Sequence, residues 1–224
     1  MNAAVKRGMD VLGALIGLAL LAPVFAAVAS AIRLRDGSPV LYRQRRVGTR
    51  GTFELLKFRT MHVAAGASIT AGADPRITRT GRRLRQWKLD ELPQLVNVVR
   101  GEMSLVGPRP ELPEFVAEYT ADQREVLRYR PGMTDPASLQ FRDEAGLLAA
   151  VPDPVAWYRE VLLPEKLRLS IAYARRATPW SDLFVLAATI WALLGGGRPA
   201  SVRQMPACSG SSSRPQEGAH APMS

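Results

Sequence analysis

The sequence predicts a helix-rich mixed α/β fold: a small domain carrying a short β-hairpin, preceded by an apolar N-terminal helical segment. Three observations carry that prediction. An uncharged run of 22 residues, Val11–Ile32, stands near the start. Two alternating stretches flank Gly48-Thr49-Arg50-Gly51 with the period of paired strands. Apolar residues at helical spacing return after Asp90 and again after Pro164. With 47% hydrophobic residues, 224 residues suffice to bury a core.

The N-terminal run would span ~33 Å as a straight helix, against a hydrocarbon core of ~30 Å. A signal peptide, a spanning anchor and a helix that enters and leaves on one side all fit its length. Lys6 and Arg7 precede it, and Arg33 and Arg35 follow it. Positive charge on both sides conflicts with a simple span under the positive-inside rule and suits a re-entrant bend. Pro23 lies near the middle, where it breaks the hydrogen-bond ladder. Residue physics leaves re-entrant and spanning readings level, with the signal peptide third.

Asp36-Gly37-Ser38-Pro39 reads as a turn. Val40, Tyr42 and Gln44 then alternate with Leu41, Arg43 and Arg45, and Phe53–Met61 forms the second strand of the hairpin, bearing Lys57 and Arg59. Val63–Ala73, rich in Ala, Gly, Ser and Thr, reads as a mobile loop. Thr80 can cap a short basic helix through Gln86.

The stretch Lys88-Leu89-Asp90-Glu91-Leu92-Pro93-Gln94-Leu95 places two adjacent carboxylates behind the most basic segment of the chain. Asp90 is suited to cap a helix running to Arg100, with Pro93 in its first turn. Both carboxylates would then sit at a helix N-terminus, which favours negative charge and can hold phosphate oxygens. An ordinary cap is the better account of these eight residues taken alone, so the surroundings must decide.

The charge distribution speaks to that. The chain has 30 Lys and Arg against 20 Asp and Glu, a net charge of +10. Between Arg33 and Arg100 there are 15 basic and 5 acidic residues, so the whole excess belongs to this region. Such a region implies an anionic partner: nucleic acid, lipid headgroup or phosphorylated substrate. No reading helix, zinc pattern or RNA-binding aromatic motif is present, which argues against nucleic acid. The single cysteine, Cys208, excludes an intramolecular disulfide.

Beyond the carboxylates, Glu102–Val106 is a strand candidate that runs into Gly107-Pro108-Arg109-Pro110. Two prolines fix the backbone around Arg109, whose guanidinium suits bidentate phosphate recognition. Glu111–Arg128 reads as one helix, and Arg130-Pro131-Gly132-Met133-Thr134 as a second rigid turn. Pro164–Arg176 is a helix with an apolar side. Trp180–Leu194 is a further apolar stretch whose uncharged run of 12 residues, Leu183–Leu194, is too short to span a bilayer. From Gly195 the composition is that of a disordered tail.

Five segments together resemble the bacterial sugar transferase family, the monotopic phosphoglycosyl transferases. They are Lys57-Phe58-Arg59-Thr60-Met61, Leu89-Asp90-Glu91-Leu92-Pro93-Gln94, the run Gly101–Pro110, Arg130–Thr134, and the basic-flanked N-terminal segment with its central proline. The resemblance covers Val5 to Leu194, and the length is similar to minimal, catalytic-domain-only members. It implies transfer of a phospho-sugar from a UDP-sugar to a polyprenyl phosphate such as undecaprenyl phosphate, with release of UMP. This would occur at the cytoplasmic face of the bacterial inner membrane, with Mg2+ as cofactor, and would begin a surface glycan such as an exopolysaccharide, capsule, O-antigen or glycoprotein glycan. It implies Asp90 as nucleophile and metal ligand, Glu91 as its catalytic neighbour, and Arg85 and Arg109 as phosphate ligands, with Lys57 and Arg59 as weaker candidates. Arg142 is expected near the nucleotide. Residues 1–35 would be a re-entrant membrane helix broken at Ala22-Pro23, residues 36–194 the cytoplasmic catalytic domain with interfacial amphipathic helices, and residues 195–224 the tail. Inner-membrane lipid is a further implied partner, and a homodimer is compatible with the resemblance.

Two departures stand out. Ala22 occupies a position where family members often carry Ser, so the break rests on Pro23. After Thr134, Asp135–Glu144 replaces a Gly-x-Ala-Gln-Val-Asn-Gly-Arg-like stretch, which places donor specificity in question. The competing reading is a non-catalytic membrane adaptor that binds anionic lipid. It would have no need of Asp90 or Glu91.

Overall fold

A computed structural model describes residues 2–62 and 74–195. The expected loop at 63–73 and the tail beyond 195 lie outside the described residues. The chain opens with two helices, α1 (Ala3–Leu20) and α2 (Ala22–Arg35), bent by 61° at Leu21. Pro23 stands in the first turn of α2, where its missing N–H leaves a gap in the ladder behind it. Among the described residues no single helix is long and apolar enough to cross a membrane, whereas the bent pair passes by length and composition.

Both ends of the pair are tied to the rest of the molecule. Near the start of α1, Lys6 bridges Asp10 (3.0 Å) and Asp182 (2.7 Å), while the buried Asp10 accepts from the Ser104 hydroxyl and the Leu105 amide. The neighbouring Arg7 donates to the Val98 and Val99 carbonyls. At the far end, Asp36 accepts from the hydroxyls of Thr78 and Thr80, and Arg59 donates to the carbonyls of Asp36, Gly37 and Ser38. Two of the four flanking cations therefore serve as tertiary contacts as well as end charges.

Strands β1 (Leu41–Gly48) and β2 (Gly51–Phe58) form the predicted antiparallel hairpin, with Tyr42 opposite Lys57 and Arg46 opposite Phe53. Its alternation puts Tyr42, Gln44, Arg46 and Lys57 toward a cavity, whereas Arg43 pairs with Glu54 on the exposed face. The second strand ends at Phe58, earlier than predicted; Met61 makes only an isolated bridge with Ile77. Helix α3 (Arg79–Gln86) is capped by Thr78, not Thr80: the Thr78 hydroxyl accepts from the Gly81 amide at 2.8 Å.

Asp90 does not cap a long helix. Leu89–Glu91 forms a single 3₁₀ turn behind Lys88, which is left-handed (φ 53°), and α4 (Gln94–Arg100) begins only after Pro93. Proline cannot donate to the Leu89 carbonyl, so the α-helical ladder restarts beyond it. Strand β3 (Ser104–Val106) pairs in parallel with β4 (Gly132–Thr134), so the second expected turn is partly a strand. The two backbones touch at Gly107 and Gly132, where a Cβ on Gly132 would lie 2.1 Å from the Gly107 nitrogen. Those motif glycines are required by close approach.

The predicted 111–128 helix is interrupted. Only α5 (Pro113–Ala117) and a 3₁₀ segment, Gln123–Arg128, are helical. Between them Thr120 and Gln123 exchange side-chain-to-amide bonds, which cap one piece and stop the other. Three short helices follow: α6 (Pro136–Gln140), α7 (Glu144–Ala149) and α8 (Pro154–Trp157). A π-helical turn, Tyr158–Leu162, leads into α9 (Leu163–Arg176), and α10 (Pro179–Leu193) is the last element among the described residues.

The core has three parts. Phe115, Tyr119, Tyr158, Leu162 and Leu167 form the part under α9. Ala14, Leu55, Leu95, Val98 and Met103 join α1 to α4 and the hairpin. Val28, Ile32, Phe58 and Leu84 join α2 to β2 and α3. Much apolar surface remains uncovered, notably Leu12 and Leu20 on α1, Leu34 on α2, and Trp180, Phe184 and Trp191 on α10. Exposed apolar area of this extent marks a partner or membrane surface.

Candidate active site

The 3₁₀ turn and the proline-locked turn meet at the base of a cavity of about 1700 Å3. Asp90 and Glu91 are adjacent in sequence yet differ in surroundings. Glu91 is bound by Arg109 through two hydrogen bonds, 2.6 and 3.1 Å, with the Lys57 amine 3.9 Å away. Burial alone would raise its carboxyl. Arg109, Lys57 and Lys88 outweigh that and hold it far below the usual carboxylate range. The same pairing holds the Arg109 guanidinium firmly charged.

Asp90 is 7% exposed, and its Oδ1 makes no hydrogen bond among the described residues. Burial and the charge of Glu91 push its carboxyl up, against Lys57, Lys88 and Arg85. A buried oxygen without a partner is unfavourable unless a ligand completes it. One carboxylate is therefore satisfied by the protein, and the other is left the more basic of the two, with one oxygen unpartnered.

The cations around them are placed by distinct devices. Arg109 is aimed by Glu91 and by its flanking prolines; two residues on, the Glu111 carboxylate accepts from the Tyr158 hydroxyl (2.6 Å) and from Arg46 (3.4 Å). Arg46 also donates to the Pro110 carbonyl, and the Val47 amide to that of Glu111, so the hairpin clamps the turn. Lys57 reaches the base from β2. Burial pushes its ammonium down to about 8, more than Glu91 raises it. Arg85 lies along the wall with its Nε bonded to the Thr60 hydroxyl. Arg142 lines the same cavity.

Arg59 differs from the other predicted cations. It touches the cavity, but its guanidinium is occupied by three backbone carbonyls at the end of α2. Its visible work is to fasten the helix pair to the hairpin. Ala22 and Pro23 stand at the helix break and are not among the residues lining the cavity, although Gly17 and Leu21 are. Sequence reasoning missed Arg46, Glu111, Glu144, Tyr158 and Lys166. Only Glu111 carried a local signal, as the residue that follows the Pro-Arg-Pro turn.

A metal is the remaining question for the site. Among the described residues no group of three or more His, Cys, Asp or Glu is placed to hold an ion alone. Glu91 is committed to Arg109, which leaves the Asp90 carboxylate as the member of this pair that could hold an ion. That donor set fits Mg2+, which commonly takes one or two carboxylates and completes its shell with water and substrate phosphate.

Away from the charged base, the cavity continues between α1 and α10 past Leu21, Leu95, Leu105, Leu186, Thr189 and Leu193. The hydroxyl of Thr189 bonds with that of Thr134 at 2.8 Å. This arm is apolar and adjoins the uncovered outer faces of the two helices.

Residues 1–196 match the family model described as bacterial sugar transferase. A UDP-glucose:undecaprenyl-phosphate glucose-1-phosphate transferase of Caulobacter vibrioides is 38% identical over 84% of this chain and 69% of its own. A UDP-N-acetylgalactosamine-undecaprenyl-phosphate N-acetylgalactosaminephosphotransferase of Aeromonas hydrophila is 34% identical over 86% of this chain and 44% of its own. An undecaprenyl-phosphate glucose phosphotransferase of Komagataeibacter xylinus is 38% identical over 83% and 35%. The chain thus spans less than half the length of the latter two. The family match extends over both the helix pair and the charged cavity, and this chain belongs to the bacterial sugar transferase family.

Proposed function

We propose that the chain transfers a phospho-sugar from a UDP-sugar to a polyprenyl phosphate, releasing UMP and starting assembly of a surface glycan. The observation that carries this reading is the contrast at residues 90 and 91: an unshielded, unpartnered carboxylate beside one saturated by arginine. Asp90 Oδ1 attacks the sugar-bearing phosphorus of the donor. The bond from that phosphorus to the bridging oxygen breaks, and UMP departs with the oxygen. A phosphate oxygen of the acceptor then attacks the same phosphorus, the bond to Oδ1 breaks, and Asp90 is restored with a polyprenyl-diphosphate sugar as product. Splitting the transfer in two lets one site serve both substrates.

A carboxylate attacking a diphosphate meets like charge. Lys57, Lys88, Arg85 and Arg109 offset it from fixed positions, which costs no reorganisation during reaction. Glu91 keeps Arg109 aimed, and Arg142, which lines the same cavity, would approach the nucleotide part of the donor. Mg2+, held by Asp90 and substrate phosphates, would supply further charge neutralisation when bound. The polyprenyl chain would lie in the apolar arm between α1 and α10.

The membrane arrangement belongs to the same proposal. Residues 1–35 enter the inner membrane and return, residues 36–194 lie on its cytoplasmic face, and the outer side of α10 rests in the interface. Attachment of both helix-pair ends to one body supports this over a span. Cysteines in place of Ala3 and Ser38, in a Cys208→Ser background, should both be labelled only from the cytoplasm. Labelling from opposite sides would establish a span.

The direct test is UMP release from a panel of UDP-sugars with membrane-solubilised protein, Mg2+ and undecaprenyl phosphate. Release with a donor, lost in Asp90→Asn and on chelation, is the expected result. Normal turnover by that variant would remove Asp90 as nucleophile, and release by no donor would favour the adaptor reading.

A further inference from the structure

The transfer chemistry uses the base of the cavity and its apolar arm but leaves one buried ion pair on the wall without a role. Lys166, on α9, is only 6% exposed. Its amine bonds to Glu144 Oε2 at 2.8 Å and lies 5.2 Å from the centre of the Tyr158 ring. It stands beside the apolar Tyr158, Leu163 and Leu167 and lines a small second cavity with Arg109, Glu111, Asp135 and Ser170. A buried ion pair is poor value as a stabiliser, so its presence on a cavity wall calls for another account.

Glu144 is the exposed half of the pair. Its side chain is 33% accessible, and Oε1 makes no hydrogen bond among the described residues. Lys166 keeps it ionised despite partial burial. Both residues line the same cavity as Asp90 and Arg109. They are also mechanically linked to the base: the Tyr158 hydroxyl holds Glu111, two residues from Arg109, and the ring of Tyr158 lies under Lys166. The π-helical turn at Tyr158–Leu162 brings Tyr158 and α9 into this position, and irregular turns of that kind recur at functional sites.

A fixed carboxylate with one free oxygen, backed by a buried ammonium, is suited to accept hydrogen bonds from a hydroxyl-bearing ligand. A UDP-sugar offers two such parts, the ribose and the transferred sugar. The sugar is attached directly to the phosphorus that Asp90 attacks, whereas the ribose lies one phosphate further away.

We propose that Glu144, held by Lys166, reads the hydroxyls of the transferred sugar and so sets donor specificity. This rests on the phosphoglycosyl transfer reading above. The test compares wild type with Glu144→Gln and Glu144→Asp as full-length solubilised protein. Binding of UDP and of UDP-glucose, UDP-galactose, UDP-N-acetylglucosamine and UDP-N-acetylgalactosamine is measured by calorimetry, and kcat/KM is measured for each donor. The preferred UDP-sugar should lose about 10–100-fold in the Gln variant. UDP affinity should change by less than about 2-fold, and discrimination between the preferred donor and its epimer should collapse.

Equal losses for UDP and UDP-sugars would assign Glu144 to the ribose or to structure and overturn the proposal. Unchanged donor discrimination would overturn it too. Wild-type protein that binds UDP-sugars without releasing UMP would separate the cases: transfer would fail as a reading, while the binding comparison would still decide whether Glu144 reads the sugar.

Discussion

On the hairpin side of the cavity, Lys57, Glu91 and Arg109 are held by charge partners, and Arg46 with Glu111 fixes the turn from behind. On the helix side, Gly17, Leu21, Leu186 and Leu193 line an apolar wall that bears no charged side chain, its polar groups being the paired hydroxyls of Thr189 and Thr134. The first side must hold charge at fixed positions, because electrostatic stabilisation depends on donors that do not reorganise. The second needs only apolar area, which is non-directional. Errors of a single atom should therefore be severe on one side and tolerable on the other.

The largest expected effect tests the charged side at its centre. Asp90→Asn should lower turnover by at least ~10³-fold, because it removes the nucleophile with little change of shape. Glu91→Gln should cost less, on the order of 10²-fold, by leaving Arg109 with a neutral partner. Equal losses in steady-state UMP release would mean that the two carboxylates share one role, and the contrast between their surroundings would lose its meaning.

A smaller effect is expected in the arm. Ala192→Trp narrows it and should raise KM for undecaprenyl phosphate about 10-fold, while a two-isoprene phosphate and the UDP-sugar donor remain near wild type. Loss of discrimination by chain length would place the lipid elsewhere.

The mildest effect is a pH dependence from Lys57. Its ammonium in the folded protein is lost as pH rises through about 8, against an ordinary value of 10.5. Donor KM should rise a few-fold above that pH, and Lys57→Arg should flatten the rise because guanidinium stays charged. The stability effect has the opposite sense. Between about 8 and 10.5 the unfolded chain binds the extra proton, so this group's contribution makes the protein more stable as pH increases. A flat KM profile in wild type would remove Lys57 from phosphate attraction.

Regular elements were read well from the sequence where a physical period was present. The hairpin, α9, α10 and the break before Pro23 have such periods or a backbone constraint, and they occur within a few residues of their expected places. The helix from Glu111 to Arg128 failed because Thr120 and Gln123 satisfy each other's amides locally, a competition that hydrophobic spacing does not register. Asp90 as a helix cap failed for a similar reason, since Pro93 separates it from α4.

By itself, the sequence determined that two carboxylates lie in a strongly basic region beside an apolar N-terminal segment, and that two proline-containing segments follow. Those properties are covalent or local, so no fold can remove them. Tertiary structure decided which carboxylate is left bare and which is saturated, because Arg109 arrives from 18 residues away. It turned Arg59 toward the carbonyls that close α2 and set Lys57 at the base of the site. It also brought Glu144 and Lys166 together across 22 residues. Charge pairs form by proximity in space, and a one-dimensional pattern carries no record of that distance.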